Sequence, residues 1–326
     1  MDKINVLITA ASRRGALVKN FSVLKGKLPF MGQTIAVDYN LLSPALYLAD
    51  KFYKVPLIND KNYFTEIMKI VKKEDIKLVI PTIDIELPLW GNKRKALLKE
   101  GVFVAASPEK TAIICNDKFK AYDFFRKNGF PTPKTWSKGE ITNIKEEEFP
   151  LFIKPAMGRG SVNTYKINNK KELDFFINYV KEPVIQQYIK GEEFTVDLIA
   201  DFTGNVLSIV PRKRLLVRAG VSDRGVTFYN EKIIDDIKQM AEKLNIIGPA
   251  NFQGFISNDK IHYIEINPRF SGGIQLTIAA GVNFQEILVR LVHGEKITPF
   301  IGEYIRDMYM TSYSESIFLH EGKPVK

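Results

Sequence analysis

Lys260-Ile261-His262-Tyr263-Ile264-Glu265-Ile266-Asn267-Pro268-Arg269 reads as a strand that carries chemistry on one face. Alternate residues of a strand share a side, so Glu265 and Asn267 point one way and Ile264 and Ile266 the other. A carboxylate and an amide oxygen two residues apart on a rigid strand form a hard-oxygen site. That suits Mg2+, which takes few protein ligands and completes its shell with phosphate and water. Arg269 lies just beyond, and Ser271-Gly272-Gly273 follows as a candidate nest of backbone N–H groups. The preceding run, Ala250-Asn251-Phe252-Gln253-Gly254-Phe255-Ile256, fits a partner strand. With an odd-length loop at Asn258-Asp259, Gln253 faces Glu265 and Asn251 faces Asn267, and the polar groups share one side. A two-residue turn would send Gln253 to the other face, because a one-residue slip reverses every side chain. An odd loop is therefore expected. The competing reading is a surface hairpin with an incidental acid.

About a hundred residues upstream, Phe152-Ile153-Lys154-Pro155-Ala156-Met157-Gly158-Arg159-Gly160-Ser161 runs an apolar strand into a cation and then a loop with two glycines and a serine. Glycines let backbone N–H groups approach phosphate oxygens, and Lys154 and Arg159 add positive charge. The pattern is not G-x-x-x-x-G-K-[ST], so a P-loop NTPase is not indicated. An ordinary hairpin turn is the plain alternative. Lys118 opens a helix from Asp117 to Lys127 that closes at Asn128-Gly129 ahead of Pro131 and Pro133.

The first 110 or so residues alternate strand and helix. Ile4–Ala10, Thr34–Asp38 and Leu78–Pro81 read as strands, and 16–24 and 63–73 as helices. Such alternation implies a parallel sheet wrapped by helices. Ser12-Arg13-Arg14-Gly15 is not G-x-G-x-x-G, so a dinucleotide site is poorly supported, although ligands favour the carboxyl ends of such strands. Ser12–Gly15, Asp84 and Glu86 sit there and are candidates to line an acceptor pocket. Asp84 and Glu86, two apart, would share a face and bind an ammonium, or else serve as surface acids or a helix cap. A helix is expected over 172–180 and another over 231–244, the latter with Ile233, Ile237, Met240, Ala241 and Leu244 on one face.

The bulk composition agrees with a globular protein: 326 residues, 45% hydrophobic and 26% charged, are enough for two or three domains with sizeable cores. One cysteine excludes an internal disulfide framework and a cysteine-rich zinc site, and Cys115 without a histidine partner reads as a buried small residue. The three histidines have no metal-ligand spacing, and Trp90 and Trp136 read as core or interface aromatics. The short N-terminal apolar run is not a signal peptide and no membrane span is visible, so a cytoplasmic protein is expected. A net charge of +10 suggests an anionic partner. No nucleic-acid signature accompanies it, and a few cations converging on a small phosphorylated ligand account for it better.

Taken together, N-D-K-F-K-A-Y-D-F-F-R-K-N-G-F-P-T-P, F-I-K-P-A-M-G-R-G-S, Q-Q-Y-I-K-G-E-E-F-T-V-D and F-Q-G-F with Y-I-E-I-N-P-R-F-S-G-G resemble an ATP-grasp enzyme over nearly the whole chain. The branch it resembles is that of carbamoyl-phosphate synthase large subunits and carboxylate–amine ligases. The resemblance implies an α/β and α+β architecture: a Rossmann-like domain over 1–112, a small grasp subdomain over 113–190, and a C-terminal grasp subdomain with the metal site over 191–326. It implies that Lys118 and Lys154 hold ATP phosphates under a loop of Met157, Gly158, Arg159, Gly160 and Ser161. Gln186, Gln187 and Ile189 would form the adenine hinge, and Glu193 would take the ribose hydroxyls. Gln253, Glu265 and Asn267 would hold Mg2+, for which Mn2+ can substitute. Arg269 and Lys154 would be catalytic, with Ser271, Gly272 and Gly273 beside the acyl intermediate. The family usually has Glu where Gln186 stands. In the basic strand Pro211–Gly220, Arg214 and Arg218 are favoured to reach the triphosphate or the substrate carboxylate; a solvated basic face is the alternative. The partners implied are small-molecule carboxylate and amine substrates, not nucleic acid or membrane, with a homodimer as an assembly. Two other readings stay open. One is a carbamoyl-phosphate-like unit acting on bicarbonate, although the chain has room for one module only. The other is a non-catalytic nucleotide-binding regulatory protein, against which the intact Lys154, Glu265, Asn267 and Arg269 argue.

Overall fold

The computed structural model describes residues 3–158, 160, 162–218, 220–320 and 322–325. The N-terminal alternation produces β1 (Ile4–Ile8), α1 (Gly15–Leu24), β2 (Met31–Asp38), β3 (Lys51–Lys54), α2 (Tyr63–Lys73), β4 (Ile76–Ile80), α3 (Leu87–Lys99) and β5 (Phe103–Val104). The strands form a parallel sheet in the order β3-β2-β1-β4-β5. These strands are near-continuous apolar runs because both faces are covered. Ile67, Ile70 and Val71 of α2 pack with Leu7 and Val79 on one face; Val18, Phe21 and Leu24 of α1 pack with Val6, Ile8 and Leu78 on the other. The chain leaves β1 toward β2 and β3, then returns to place β4 on the other side of β1. The carboxyl ends of β1 and β4 therefore flank a topological switch point, the place where open α/β sheets bind ligands.

Two helices, α4 (Glu109–Asn116) and α5 (Lys118–Lys127), lead out of this sheet, with Asp117 capping α5 through the amides of Phe119 and Lys120. A four-stranded sheet follows, order β6-β9-β7-β8, from β6 (Thr135–Ser137), β7 (Leu151–Pro155), β8 (Tyr165–Ile167) and β9 (Pro183–Gln187), backed by α6 (Lys170–Tyr179). A six-stranded sheet comes next, order β14-β13-β10-β11-β12-β15. It comprises β10 (Glu192–Ala200), β11 (Val206–Arg218), β12 (Val221–Thr227), β13 (Gly248–Ser257), β14 (Lys260–Asn267) and β15 (Tyr309–Thr311). The apolar stripe of α7 (Glu231–Leu244), read from its 3.6-residue period, lies on this sheet against Val196, Leu198, Phe252 and Tyr263. The chain goes on through α8 (Ile274–Ala279) and α9 (Phe284–Val292) to a hairpin of β16 (Phe318–His320) and β17 (Lys323–Val325). Phe284, Leu288 and Val289 of α9 enter the same core as α1, which ties the C-terminal half of the chain to the first sheet.

The β13–β14 hairpin has the expected pairs by an unexpected route. Asn251 faces Asn267, and Gln253 faces Glu265. The turn between Ser257 and Lys260 nevertheless holds only Asn258 and Asp259, both in the left-handed region with φ of 47° and 61°. The odd residue sits in a β-bulge: Gln253 pairs with Glu265 and Gly254 with Tyr263, leaving Ile264 over. A bulge inserts one residue and re-aims its neighbours, so it restores the register that the two-residue turn would have reversed. Ile264 consequently lines the functional cleft beside Glu265, not the core face with Ile266.

Candidate active site

The four-stranded and six-stranded sheets face each other across a cleft of about 280 Å³. Lys118, Lys154, Gly158 and Gly160 line it from one side, and Gln253, Glu265, Asn267 and Arg269 from the other. Gln186, Gln187, Ile189 and Glu193 form its back along β9 and the start of β10, and Arg214 closes one end. Residues from five separate stretches of the sequence thus reach one space. Arg159 and Ser161 lie outside the described residues.

Lys154, next to last in β7, has its side chain buried, and its ammonium donates to Gln186 Oε1 at 3.0 Å. Burial lowers its pKa to about 8, against the pull of the Glu265 carboxylate and with some help from Lys118. Gln186 is held in turn: its Nε2 donates to Thr135 Oγ1 at 3.0 Å. A neutral amide therefore stands where a carboxylate would hold the lysine's charge more firmly. Lys118 donates from Nζ to the carbonyl of Gly158 at 2.8 Å, and its amide donates to Ala156 O at 3.0 Å, so the start of α5 supports the glycine loop. Met157 is 64% exposed and is not part of the cleft wall. Across the cleft, a Cβ at Gly220 would stand 2.8 Å from the Cα of Gly160, so the tip of the β11–β12 hairpin closes on that loop only with glycine at 220, whose φ is +77°.

Glu193 forms an ion pair with Arg214, whose Nη2 also donates to the carbonyl of Gly220 at 2.9 Å. Burial moves both members away from their charged forms, Glu193 upward and Arg214 downward, because desolvation outweighs their attraction. Among the described residues Arg214 Nε is buried with no hydrogen-bond partner, a donor left for an acceptor that enters the cleft. Among the described residues no hydrogen bond or ion pair closes on the side chains of Gln253 or Glu265, and no group of three or more His, Cys, Asp or Glu is placed to hold a metal ion. One carboxylate with two amides is a sparse set of hard oxygens. It fits a cation whose remaining ligands are phosphate and water, and it does not fit an all-protein cage.

Arg269 connects this cleft to the first sheet. Its Nε and Nη2 donate to the two oxygens of Asp84 at 2.8 and 2.9 Å, and Nη2 also reaches Asn267 Oδ1 at 3.0 Å. The reading of Asp84 and Glu86 as a shared-face ammonium site is corrected here. Residues 84–86 form a 3-10 turn after β4, not a strand, and the two acids part company. Asp84 is taken by Arg269. Glu86 is fully buried beneath the sheet, accepting from Thr9 Oγ1, Tyr63 OH and Trp90 Nε1 and from the amide of Thr82, and desolvation raises its pKa.

Two further expectations are corrected. Arg218 does not share the cleft with Arg214: the β11–β12 ladder shifts register between Arg214 and Val217, which breaks the alternation. The Arg218 side chain is 73% exposed and pairs with Asp223 at 3.5 Å. Ser271, Gly272 and Gly273 do not line the cleft as a nest of amides. Ser271 Oγ accepts from the Arg212 guanidinium at 3.0 Å, a Cβ at Gly272 would meet Val221, and a Cβ at Gly273 would meet the guanidinium of Arg212 at 2.8 Å. Ser271 and Gly273 accommodate Arg212, and Gly272 makes room for Val221. Cys115 and both tryptophans are buried, as read. The apolar walls, Phe152, Tyr188, Phe255 and Ile264, escaped the sequence reading because nothing distinguishes them there from core residues.

Residues 115–273 match the ATP-grasp domain family, and residues 6–105 match the family described as PylC-like, N-terminal domain. Solved structures share the fold at low identity. The biotin carboxylase domain dimer of Hydrogenobacter thermophilus 2-oxoglutarate carboxylase, solved with MgADP, ADP and bicarbonate, is 15% identical with a TM-score of 0.74, over 95% of this chain and 74% of that one. An L-amino acid ligase from Bacillus licheniformis is 19% identical with a TM-score of 0.68, over 90% of this chain and 75% of that one. Rhizobium etli pyruvate carboxylase is 15% identical with a TM-score of 0.73 over 94% of this chain, which spans only 30% of that longer protein. No described helix is long and apolar enough to cross a membrane.

Proposed function

We infer that this chain, which belongs to the ATP-grasp superfamily, is an ATP-dependent ligase that activates a carboxylate as an acyl phosphate and passes it to an amine. The observation that carries this reading is the convergence of Lys154, Glu265 and Arg269 in one cleft between two sheets, with Gln253 and Asn267 beside the carboxylate. The division into 1–112, 113–190 and 191–326 belongs to the same reading.

In it, the adenine lies along Gln187 and Ile189, and the phosphates run under Gly158 and Gly160 between Lys118 and Lys154. Gln253, Glu265 and Asn267 would hold Mg2+, which when bound supplies charge neutralisation at the phosphate oxygens; Mn2+ satisfies the same donors. A carboxylate oxygen of the substrate attacks the terminal phosphorus, the bond to the β-phosphate oxygen breaks, and ADP leaves. The amine then adds to the acyl carbon, loses a proton, and expels phosphate. Such transfer needs positioning and electrostatic stabilisation more than a covalent nucleophile. Arg269, held by Asp84 in a fixed orientation, stabilises the oxyanion of the second step. Closure of the glycine loop against the β11–β12 hairpin protects the acyl phosphate from water.

The test is ADP release from ATP and Mg2+ over a panel of carboxylates, bicarbonate included, each with and without a panel of amines. Release that requires both partners supports the ligase. ATP binding with no carboxylate-stimulated turnover would favour a regulatory nucleotide-binding protein.

A further inference from the structure

The cleft has a neighbour that the reaction as described does not use. Arg14 follows β1 and Asp84 follows β4, so the two stand on either side of the switch point of the parallel sheet. Arg14 is anchored by Nη2 donating to the carbonyl of Thr82 at 3.2 Å. Its surroundings hold more positive than negative charge. Asp84 acts on it but spends both oxygens on Arg269, and Arg13 and Arg269 both bear on it with like charge. The other carboxylates at this end of the sheet are engaged elsewhere. Asp38 accepts from the amides of Ser12 and Asn40, and Glu86 is buried among Thr9, Tyr63 and Trp90. Among the described residues Arg14 has no ion pair. It is also the N-cap of α1, whose start has no side-chain cap and no acid in its first turn. A helix start, a guanidinium short of an acid and the switch point of a parallel sheet all favour one kind of guest, an anion.

We propose that the substrate carries, beyond the carboxylate that reacts at Arg269, a second anionic group, carboxylate or phosphate, which docks on Arg14 at the carboxyl ends of β1 and β4. The proposal rests on the ligase reading and names its substrate class: a dianionic acid. Arg14 then acts as a specificity residue, and Asp84 keeps Arg269 turned toward the reacting group so that the two guanidinium groups grip opposite ends of one molecule.

The experiment is calorimetric titration of the full chain with ADP and Mg2+ present, using succinate, inorganic phosphate and acetate as probes, on the wild type, Arg14→Met and Arg14→Lys. Succinate or phosphate is expected to bind the wild type and to bind Arg14→Met about 10- to 100-fold more weakly, the size of a lost charge-assisted hydrogen bond. Arg14→Lys is expected to lie between them, and acetate to discriminate little. A loss confined to succinate identifies a dicarboxylate; one confined to phosphate identifies a phosphorylated acid. Equal binding of each probe by wild type and Arg14→Met, or no binding of succinate or phosphate to the wild type, would overturn the proposal. ADP affinity, measured in the same series and expected to be unchanged, separates this failure from failure of the nucleotide site itself. Unchanged melting temperature of Arg14→Met excludes a folding defect as the cause of any loss, and Arg14→Lys provides the same comparison if that variant proves unstable.

Discussion

Arg212 and Arg214 stand two residues apart on β11 and live in opposite surroundings. Arg212 is closed off. Its guanidinium donates to both oxygens of Asp197 and to Ser222 and Ser271, and Gly273 lies against it; its side chain is 2% exposed. Arg214 is open. It pairs with Glu193 at the end of the cleft and, among the described residues, keeps one buried donor, Nε, without an acceptor. The first arrangement is complete without a ligand and the second is not. A satisfied buried ion holds a structure together, whereas an unsatisfied one at a cleft marks where something binds.

The largest expected effect comes from the open side. Glu265→Ala removes the only carboxylate proposed to hold the metal. It is expected to lower turnover by at least about two to three orders of magnitude, the range for loss of a key electrostatic element. Denaturation should change little, and a variant that retains full rate would break the comparison. On the closed side, Asp197→Ala strands the Arg212 charge in the interior. The expected cost is about 3–5 kcal/mol of folding stability by urea denaturation, the range for half of a broken buried pair. A loss of activity without a loss of stability would mean that Arg212 is not the structural member.

A third experiment uses pH. Lys154, with its pKa near 8, binds phosphate best when charged, so ADP affinity should be level below pH 8 and fall as pH rises through it. Lys154→Met should remove that dependence. Gln186→Glu sets a carboxylate against the ammonium and should move the fall upward by about 1–3 pH units, the usual effect of an adjacent opposite charge. A midpoint that does not move would show that residue 186 does not control the lysine. The stability contribution has its own sign. The folded pKa lies below the unfolded one, so the cost of burying the charged lysine is present below pH 8 and is relieved as pH rises above it. The smallest expected effect is that of Arg218→Ala, an exposed residue off the cleft. Turnover should stay within about twofold and stability within about 0.5 kcal/mol.

Much of the fold was legible in the sequence. The helices over 63–73 and 231–244 have the bounds that their apolar periods predict. The polar pairs of the β13–β14 hairpin are also as read, because Gln253, Asn251, Glu265 and Asn267 must share a face if any do. How they come to share it was not legible. A bulge at Ile264 has no sequence signature stronger than its neighbours, and the turn looked like the natural place for the extra residue. Arg214 and Arg218 were read together from one basic strand, and that reading failed at the register shifts that lie between them in the ladder. Asp84 was misread for a different reason: its partner, Arg269, is 185 residues away.

By itself the sequence determined which local elements form, because periodicity, glycines and prolines act over a few residues. It also determined the inventory of groups able to handle phosphate and a hard cation. Only the tertiary structure decided which of those groups share a space. It gave Arg212 to the interior and Arg214 to the cleft, Glu86 to the core and Asp84 to Arg269, and it set Arg14 at the switch point of the parallel sheet without an ion pair among the described residues. Those assignments depend on long-range register and on which donors are already satisfied, and neither is a property of any short stretch of chain.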